Sequence, residues 1–168
     1  MKIDIIGCCG SGKSYFSKQL QELTKYPLYH LDMLYWKENW TVIGSTKLNE
    51  LLKDVYKLDN YIIDGNYINT LEERFKHSDI IFFLDLPLQV CLDSEKARRG
   101  TKRDDLPAFL EEKEDPEFIE YIKNFPIEQR PIILNLLDKY KDTKKIYIFK
   151  SRHEKDIYLE RIKNKELL

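Results

Sequence analysis

The sequence predicts an α/β protein in which a parallel β-sheet is covered by helices on both faces. Three observations support this prediction. Short apolar runs alternate along the chain with longer segments whose apolar residues recur at helical spacing. The first run leads into a glycine-rich octet, GCCGSGKS at residues 7–14, which a helical segment follows. The 168 residues are 42% hydrophobic and 34% charged, a balance that suits one folded domain spanning 1–168.

The predicted strands are the short apolar runs, which have the length of buried strands and are followed by polar or turn-forming residues. Asp32 follows the second run, Gly65 stops the third, and Asp85 and Pro87 close the fourth. The five predicted strands cover residues 2–6, 26–31, 61–64, 80–84 and 144–150.

The segments between the strands carry apolar residues three and four positions apart, which predicts helices. Gly100 is placed to end one helix in the left-handed conformation, and Asp115-Pro116 is a good start for another, which we expect to break near Pro126. The aromatic stretch 33–40, MLYWKENW, is expected to be irregular, and 101–107 to be a loop. The predicted helices cover 14–23, 46–58, a short one from 71, then 88–99, 116–126, 131–140 and 154–165.

Composition and charge narrow the classes of function. The formal net charge of −1 disfavours extended contact with nucleic acid, which needs a surplus of basic residues. Three cysteines, two of them adjacent, do not suit a disulfide framework and favour a reducing compartment. No signal pattern and no apolar run of membrane-spanning length occurs. We therefore expect a cytoplasmic protein, monomeric or homodimeric, with no membrane partner and no direct contact with nucleic acid.

The octet matches the phosphate-loop pattern Gly7-x-x-x-x-Gly12-Lys13-Ser14. Glycines let the backbone turn tightly, so that successive amides converge on one anion at the start of the following helix. Lys13 can then reach the outer phosphates of ATP, and Ser14 can place its hydroxyl on Mg²⁺. The alternative is a flexible turn before an ordinary helix. We predict that the nucleotide is bound by Gly7, Cys8, Cys9, Gly10, Ser11, Gly12, Lys13, Ser14 and Tyr15.

Aspartates stand at the carboxyl ends of three predicted strands, where ligands gather in open α/β sheets. Asp64 precedes Gly65, so we favour a metal or acceptor role for it. Asp32 lies near Trp36 in sequence and is equally consistent with a turn residue or with a catalytic base. For Asp85 we favour a helix N-cap or turn role, because Pro87 and a helix follow it.

Basic residues cluster around Gly100, which predicts a lid over residues 98–115. Guanidinium groups there, Arg98 and Arg103 among them, can stabilise a phosphoryl group in transfer. The alternative is a solvated helix end whose cations complement the helix dipole. Aromatic residues between positions 29 and 67 can stack a ring or simply pack in the core. The three histidines lack the spacing of metal ligands, so we interpret them as structural or exposed.

Several stretches together resemble the adenylate-kinase-like P-loop proteins, and more specifically the family of DNA topology modulation proteins, which are FlaR-related. They span most of residues 3 to about 135. The stretches are GCCGSGKS, HLDMLYWKENW, IIDGNYINTLEERF, DIIFFLDLP, KRDDLP and EFIEYIKNFPIEQRP.

The resemblance implies a three-layer P-loop fold with a five-stranded parallel sheet in the order 2-3-1-4-5 and a short lid. It implies ATP as the ligand, with Asp64 on the magnesium side together with Ser14. Arg98 falls where those kinases hold a phosphate-binding lid arginine, and Arg103 resembles the arginine before an Asp-Asp pair of the lid. With Arg130, which lies in the last matching stretch, the catalytic candidates are Lys13, Asp32, Arg98, Arg103 and Arg130.

Two positions depart from the adenylate-kinase pattern. Ile68 stands where those enzymes carry an arginine for the acceptor phosphate, and Ser94 stands where an arginine stacks on adenine. No arginine precedes Arg74. An acceptor side that is acidic, aromatic and poor in cations favours a neutral hydroxyl or amine acceptor, with Asp32 as its base or anchor.

Three functions remain open on the sequence. The first is an ATP-dependent kinase that phosphorylates an unidentified small molecule. The second is a nucleotide-binding regulator with little turnover, which would affect DNA topology indirectly. The third is a simple nucleotide hydrolase, for which GTP is the poorer candidate because no Asn-Lys-x-Asp motif occurs.

Overall fold

A five-stranded parallel sheet forms the centre of the molecule in a computed structural model that describes residues 1–101, 103–110 and 115–164. The strand order is β2-β3-β1-β4-β5, as the resemblance implied. β1 lies in the middle, with Ile5 opposite Asp64 of β3 and Phe82 of β4. The strands are Lys2–Gly7, Leu28–His30, Tyr61–Asp64, Ile80–Leu84 and Lys145–Phe149, numbered β1 to β5.

Helices complete three layers around the sheet. α1 packs with α8, whereas α4 packs with α3 and α7. On the first side, Phe16 places its ring edge-on to Phe82 with a centroid separation of 5.0 Å. Helices α1 to α8 cover Lys13–Thr24, Leu31–Tyr35, Ser45–Val55, Ile68–His77, Leu88–Arg98, Pro116–Glu128, Arg130–Tyr140 and Arg152–Lys163.

The helix ends follow local chemistry. α5 ends at Arg98, and Gly100 adopts the predicted left-handed conformation with φ +71°. The carboxylate of Asp115 caps α6 by accepting a hydrogen bond from the backbone N–H of Glu117 at 2.9 Å. The hydroxyl of Ser151 caps α8, so that helix begins at 152, two residues before the predicted start.

Several sequence-based predictions of secondary structure were wrong in detail, among them the bounds of β2 and α3 and the three features that follow. The stretch expected to be irregular contains the end of α2 and a short 3₁₀ turn, Glu38–Trp40. α6 continues through Pro126 to Glu128, because a proline near a helix end removes only one late backbone hydrogen bond. The short helix expected from residue 71 begins at 68 instead. Lys165 in the predicted last helix, and residues 102 and 111–114 of the predicted lid, lie outside the described residues.

A buried ion pair joins the central strand to α4. Arg74 and Asp4 are both fully buried, and the Nε of Arg74 donates to the carboxylate of Asp4 at 3.0 Å. Burial raises the pKa of Asp4, and the neighbouring guanidinium opposes this effect. Arg74, the first arginine of the chain, is therefore a structural residue of the core. Within the described ranges, no helix is both long and apolar enough to cross a bilayer.

Candidate functional site

The phosphate loop connects β1 to α1 and depends on two glycines in the left-handed region. Gly10 has φ +79° and Gly12 has φ +91°. A Cβ on Gly10 would lie 2.1 Å from the carbonyl oxygen of Cys91, so the loop packs directly against the backbone of α5. The N–H of Ser11 donates to the carbonyl of Cys8 at 3.1 Å, which tightens the turn. The two glycines and the Ser11–Cys8 hydrogen bond together hold a tight loop directly before the N-terminus of α1.

Lys13 folds over the loop that precedes it. Its Nζ donates to the carbonyl oxygen of Cys8 at 3.0 Å, which places the ammonium group above the turn. The position suits contact with the outer phosphates of a nucleotide, as the motif predicts. Cys8 and Cys91 are buried, and burial raises the pKa of the Cys9 thiol, which makes Cys9 poorly suited to act as a nucleophile.

Asp64 is buried at the end of β3 and both of its oxygens are engaged. The hydroxyl of Ser17 donates to Oδ2 at 2.7 Å, and the Nδ1 of His30 lies 2.8 Å from Oδ1. Burial opposes protonation of His30, but the Asp64 carboxylate outweighs it and raises the pKa of the imidazole. Ser17 also donates to the carbonyl of Ser14, so Asp64 is linked to the first turn of α1.

The oxygen donors at this turn suit Mg²⁺ of the kind that accompanies a nucleotide. They are the hydroxyl of Ser14 and the carboxylate of Asp64. Among the described residues, no group of three or more His, Cys, Asp or Glu side chains is placed to hold an ion. Because Ser17 and His30 already engage both oxygens of Asp64, that carboxylate would act on an ion through its water shell.

Asp32 lies in the first turn of α2, directly after β2, on the same side of β1 as Asp64. The hydroxyl of Tyr67 donates to its Oδ1 at 2.5 Å. Burial raises the pKa of Asp32, while the hydrogen bond from Tyr67 and the charge of Lys13 partly oppose the shift. The ring of Tyr35 packs on that of Tyr67, with centroids 4.5 Å apart. The structure thus places a carboxylate with a raised pKa in an aromatic wall beside the phosphate-loop lysine.

Two arginines of the predicted lid reach the phosphate loop. A cavity of about 270 Å³ is bordered by Lys13, Ser14, Arg98 and Arg103. Arg103 forms a bidentate ion pair with Asp105, with both N–O distances at 2.9 Å. Burial raises the pKa of Asp105, but the hydrogen bonds from Arg103 and from the Ser14 hydroxyl lower it by more. The pKa of Asp105 is therefore below its ordinary value.

Arg98 contributes a second guanidinium to this cavity. Its Nε is buried and has no hydrogen-bond partner among the described residues. A buried donor of this kind is costly unless a ligand satisfies it. The guanidinium groups of Arg98 and Arg103 make the wall of the cavity positively charged, which suits an anion.

Arg130 is engaged by Asp85, which follows β4 at the same edge of the sheet as the phosphate loop. Its Nε and Nη2 donate to the two oxygens of Asp85 at 2.8 and 2.9 Å, and Lys150 also binds that carboxylate. These contacts tie α7 to the ends of β4 and β5. Asp85 lies in the connection between β4 and α5, but the N-cap part of its interpretation was wrong, because Pro87 is the N-cap residue of α5 and no side chain caps that helix. Its carboxylate instead neutralises two cations.

Solved structures with a similar fold are small-molecule kinases. Shikimate kinase from Aquifex aeolicus aligns with a TM-score of 0.59 and 21% identity, covering 98% of this chain and 95% of that one. Deoxyadenosine kinase from M. mycoides with bound dATP aligns with a TM-score of 0.56 and 15% identity, covering 98% of both chains. The chain has the P-loop kinase fold. No protein-family model and no curated protein matches it.

Within this P-loop kinase fold, four side chains near the loop escaped the sequence analysis. Ser17 and His30 hold Asp64, Asp105 approaches Ser14, and Arg152 at the start of α8 lines a cavity beside the loop. The serine three positions after Ser14 gave a usable signal, since it shares a helix face with that residue. The other three come from segments that only the tertiary structure brings to the loop.

Proposed function

We propose that the protein is an ATP-dependent phosphotransferase that moves the γ-phosphate of ATP to a hydroxyl group of a small uncharged acceptor. One observation carries the proposal: Asp32, with its raised pKa, lies beside the phosphate-loop lysine on the acceptor side. The fold shared with shikimate kinase and deoxyadenosine kinase supports it.

The lack of any arginine before position 74 supports an uncharged acceptor, because the two cations whose charge acts on Asp32, which are Lys13 and Arg103, also serve the phosphate loop. Kinases that bind phosphorylated acceptors need cations beside the acceptor, and arginine is the residue best suited to bind phosphate. No arginine precedes Arg74 in the chain, and Arg74 is fully buried against Asp4. A phosphorylated acceptor near Asp32 would also meet a repelling carboxylate.

The reaction assigns a role to each group around the loop. Asp32 accepts the proton of the acceptor hydroxyl while the oxygen of that hydroxyl bonds to the γ-phosphorus. The bond from the γ-phosphorus to the β–γ bridging oxygen breaks, and ADP leaves. Lys13, Arg98 and Arg103 stabilise the negative charge on the phosphoryl oxygens. Ser14 and Asp64 would hold Mg²⁺, which when bound neutralises charge on the phosphates. Arg130 is retained as a catalytic candidate, although Asp85 engages it.

Hydrogen bonding prepares Asp32 for this role. The Tyr67 hydroxyl fixes the orientation of the carboxylate, and burial raises the pKa of Asp32, which makes it a stronger proton acceptor than an exposed aspartate. Ionised Asp32 can then receive a proton without losing its position.

The test is phosphoryl transfer from ATP to a panel of uncharged alcohols, sugars and nucleosides, with their phosphate esters alongside. We expect transfer to one uncharged class, lost in Lys13→Ala and reduced about 100-fold or more in kcat in Asp32→Asn. Asp54→Asn, which removes an exposed carboxylate of α3, is the matched control and should match wild type. Preferred transfer to the phosphate esters, or full activity of Asp32→Asn, would contradict the proposal.

The narrower resemblance to DNA topology modulation proteins gives a second candidate, a nucleotide-binding regulator with little turnover. The residues that favour it are Ile68 and Ser94, which replace arginines of the adenylate-kinase pattern. This candidate predicts ATP binding by calorimetry without hydrolysis or transfer that any acceptor stimulates. In either case we infer a cytoplasmic protein. We also infer a monomer or homodimer, and light scattering in solution would measure this oligomeric state.

A further inference from the structure

Two of the three cysteines meet where the phosphate loop packs against α5. Cys8 directly follows β1, and Cys91 lies in the first turn of α5. Their side chains are hydrogen-bonded to each other, and both residues are buried in the same core cluster, with exposures of 3% and 0%. The backbones are also close, since a Cβ on Gly10 would lie 2.1 Å from the carbonyl oxygen of Cys91. A disulfide can form only where two backbones approach closely, and this contact meets that condition.

The two thiols differ in a way that favours oxidation of the pair. The hydrogen bond from the Cys8 thiol lowers the pKa of Cys91 against the effect of burial, and the charges of Lys13 and Arg152 lower it further. The thiolate is the form of cysteine that attacks an oxidant, so Cys91 is the nucleophile of the pair. Burial raises the pKa of Cys9, which makes Cys9 the weaker competitor.

The backbone of Cys8 supports the part of the loop that would receive phosphates. Its carbonyl oxygen accepts hydrogen bonds from the Nζ of Lys13 at 3.0 Å and from the N–H of Ser11 at 3.1 Å. A covalent S–S bond is shorter than the hydrogen bond that it would replace, so its formation draws residue 8 toward α5. Both hydrogen bonds to the carbonyl then change, and the ammonium group of Lys13 moves with them.

We propose that hydrogen peroxide converts Cys8 and Cys91 into an intramolecular disulfide, and that this bond weakens nucleotide binding at the phosphate loop. The Cys91 thiolate attacks one oxygen of the peroxide; the O–O bond breaks, Cys91 becomes a sulfenic acid, and a hydroxide ion leaves. That hydroxide takes the proton of Cys8, and the Cys8 thiolate attacks the sulfur of Cys91, so that the S–S bond forms as the S–O bond breaks. The second hydroxide takes up the proton that Cys91 had lost. Two thiols are thereby oxidised to a disulfide, and one peroxide is reduced to two molecules of water.

Mass spectrometry after treatment with hydrogen peroxide tests the pairing. When the remaining thiols are alkylated in denaturant, the reduced protein should take up three alkyl groups and the oxidised protein only one, on Cys9. Cys9→Ser should still form the bond, whereas Cys8→Ser and Cys91→Ser should form no intramolecular disulfide, and thermal denaturation checks that each variant is folded. A disulfide that includes Cys9, or thiols that stay reduced or pass to sulfinic acids without pairing, would overturn the proposal.

Calorimetry of Mg·ATP binding measures the consequence, and this part rests on the proposed function for the identity of the ligand. Cys8 and Cys9 belong to the loop, so the oxidised and reduced forms of each variant are compared only with each other. We expect oxidation to weaken binding about tenfold or more in wild type and Cys9→Ser, and less than about twofold in Cys8→Ser and Cys91→Ser, because small displacements of binding groups are costly. Dithiothreitol should restore the affinity of the oxidised wild type.

Equal ATP affinity of the oxidised and reduced wild type would refute the effect of the disulfide on binding. The outcome is separable from that of the proposed function. A protein that transfers no phosphate, yet loses ATP affinity on oxidation through Cys8 and Cys91, would retain the disulfide switch and reject the phosphotransferase. Phosphoryl transfer that peroxide leaves unchanged would do the reverse.

Discussion

Alanine substitutions at two glycines of the phosphate loop should separate the stability of the loop from its ability to bind nucleotide. Gly10 and Gly12 both adopt left-handed conformations, so an added Cβ costs each of them about 1–2 kcal/mol in backbone strain. Their surroundings differ. At Gly12 the Cβ would meet nothing within 4 Å, whereas at Gly10 it would lie 2.1 Å from the carbonyl oxygen of Cys91.

The close approach of a Cβ at Gly10 to the carbonyl oxygen of Cys91 sets the difference between the two losses of stability. Backbone atoms of α5 would have to move by about 0.9 Å to bring that distance to 3.0 Å, the lower limit for real Cβ contacts. Overpacking of this kind costs about 1–3 kcal/mol beyond the strain. We therefore expect Gly12→Ala to lower the free energy of unfolding by about 1–2 kcal/mol and Gly10→Ala by about 2–5 kcal/mol.

Urea unfolding followed by tryptophan fluorescence measures both values, and calorimetry measures ATP binding at a temperature where both variants are folded. Because Gly12 borders both cavities, its Cβ should obstruct the ligand and weaken ATP binding despite the smaller loss of stability. Equal losses of stability, or a larger loss in Gly12→Ala, would refute the assignment of Gly10 as the packing contact between the loop and α5.

Three further predictions concern single contacts. Arg74→Ala should destabilise the fold by about 3–5 kcal/mol in urea unfolding, because it leaves the carboxylate of Asp4 buried without its partner; a loss below about 1 kcal/mol would contradict this. Asp85 has a depressed pKa, since Arg130 and Lys150 outweigh its burial, so its stabilising effect is present above its unfolded pKa of about 3.9 and is lost as the pH falls through the folded value. The difference in unfolding free energy between wild type and Asp85→Asn should accordingly be constant near neutral pH and shrink under acid, and a difference that grows in acid would count against the ion pairs. Tyr67→Phe removes a hydrogen bond that favours ionised Asp32, so the pKa of Asp32 should rise and the acidic limb of the kcat/KM profile should move to higher pH; an unmoved limb would separate Asp32 from catalysis.

The elements that the sequence predicted well are those with local signals. β3 and β4 were predicted at their observed bounds, because each is an apolar run closed by an aspartate or a proline. The phosphate loop was equally clear, since its glycines and Lys13 lie within one short segment. The strand order came from the resemblance, because no local pattern records which strands are neighbours.

The contacts that the sequence could not predict join segments far apart in the chain. His30 lacks a recognisable spacing, yet it lies against Asp64, 34 residues later. Arg152 reaches Ser94, which is 58 residues earlier. Asp85 resembled a helix cap because proline and a helix follow it, but Arg130 of α7 and Lys150, which follows β5, reach it only in the folded structure. Hydrogen bonds and ion pairs between residues far apart in the sequence decide the role of each of these side chains.

The strand order also explains why the two sides of the loop differ in charge. β1 delivers the phosphate loop to the centre of the sheet, with β3 and β2 on one side and β4 and β5 on the other. Asp64 ends β3 and Asp32 follows β2, whereas Arg98 and Arg152 belong to the helices that follow β4 and β5. In the proposed reaction the anionic donor lies toward the β4–β5 side, and Asp32, the proposed base, stands on the β2–β3 side. Because this separation is built into the topology, a substitution that reverses the charge at position 32 should disturb the acceptor far more than the nucleotide.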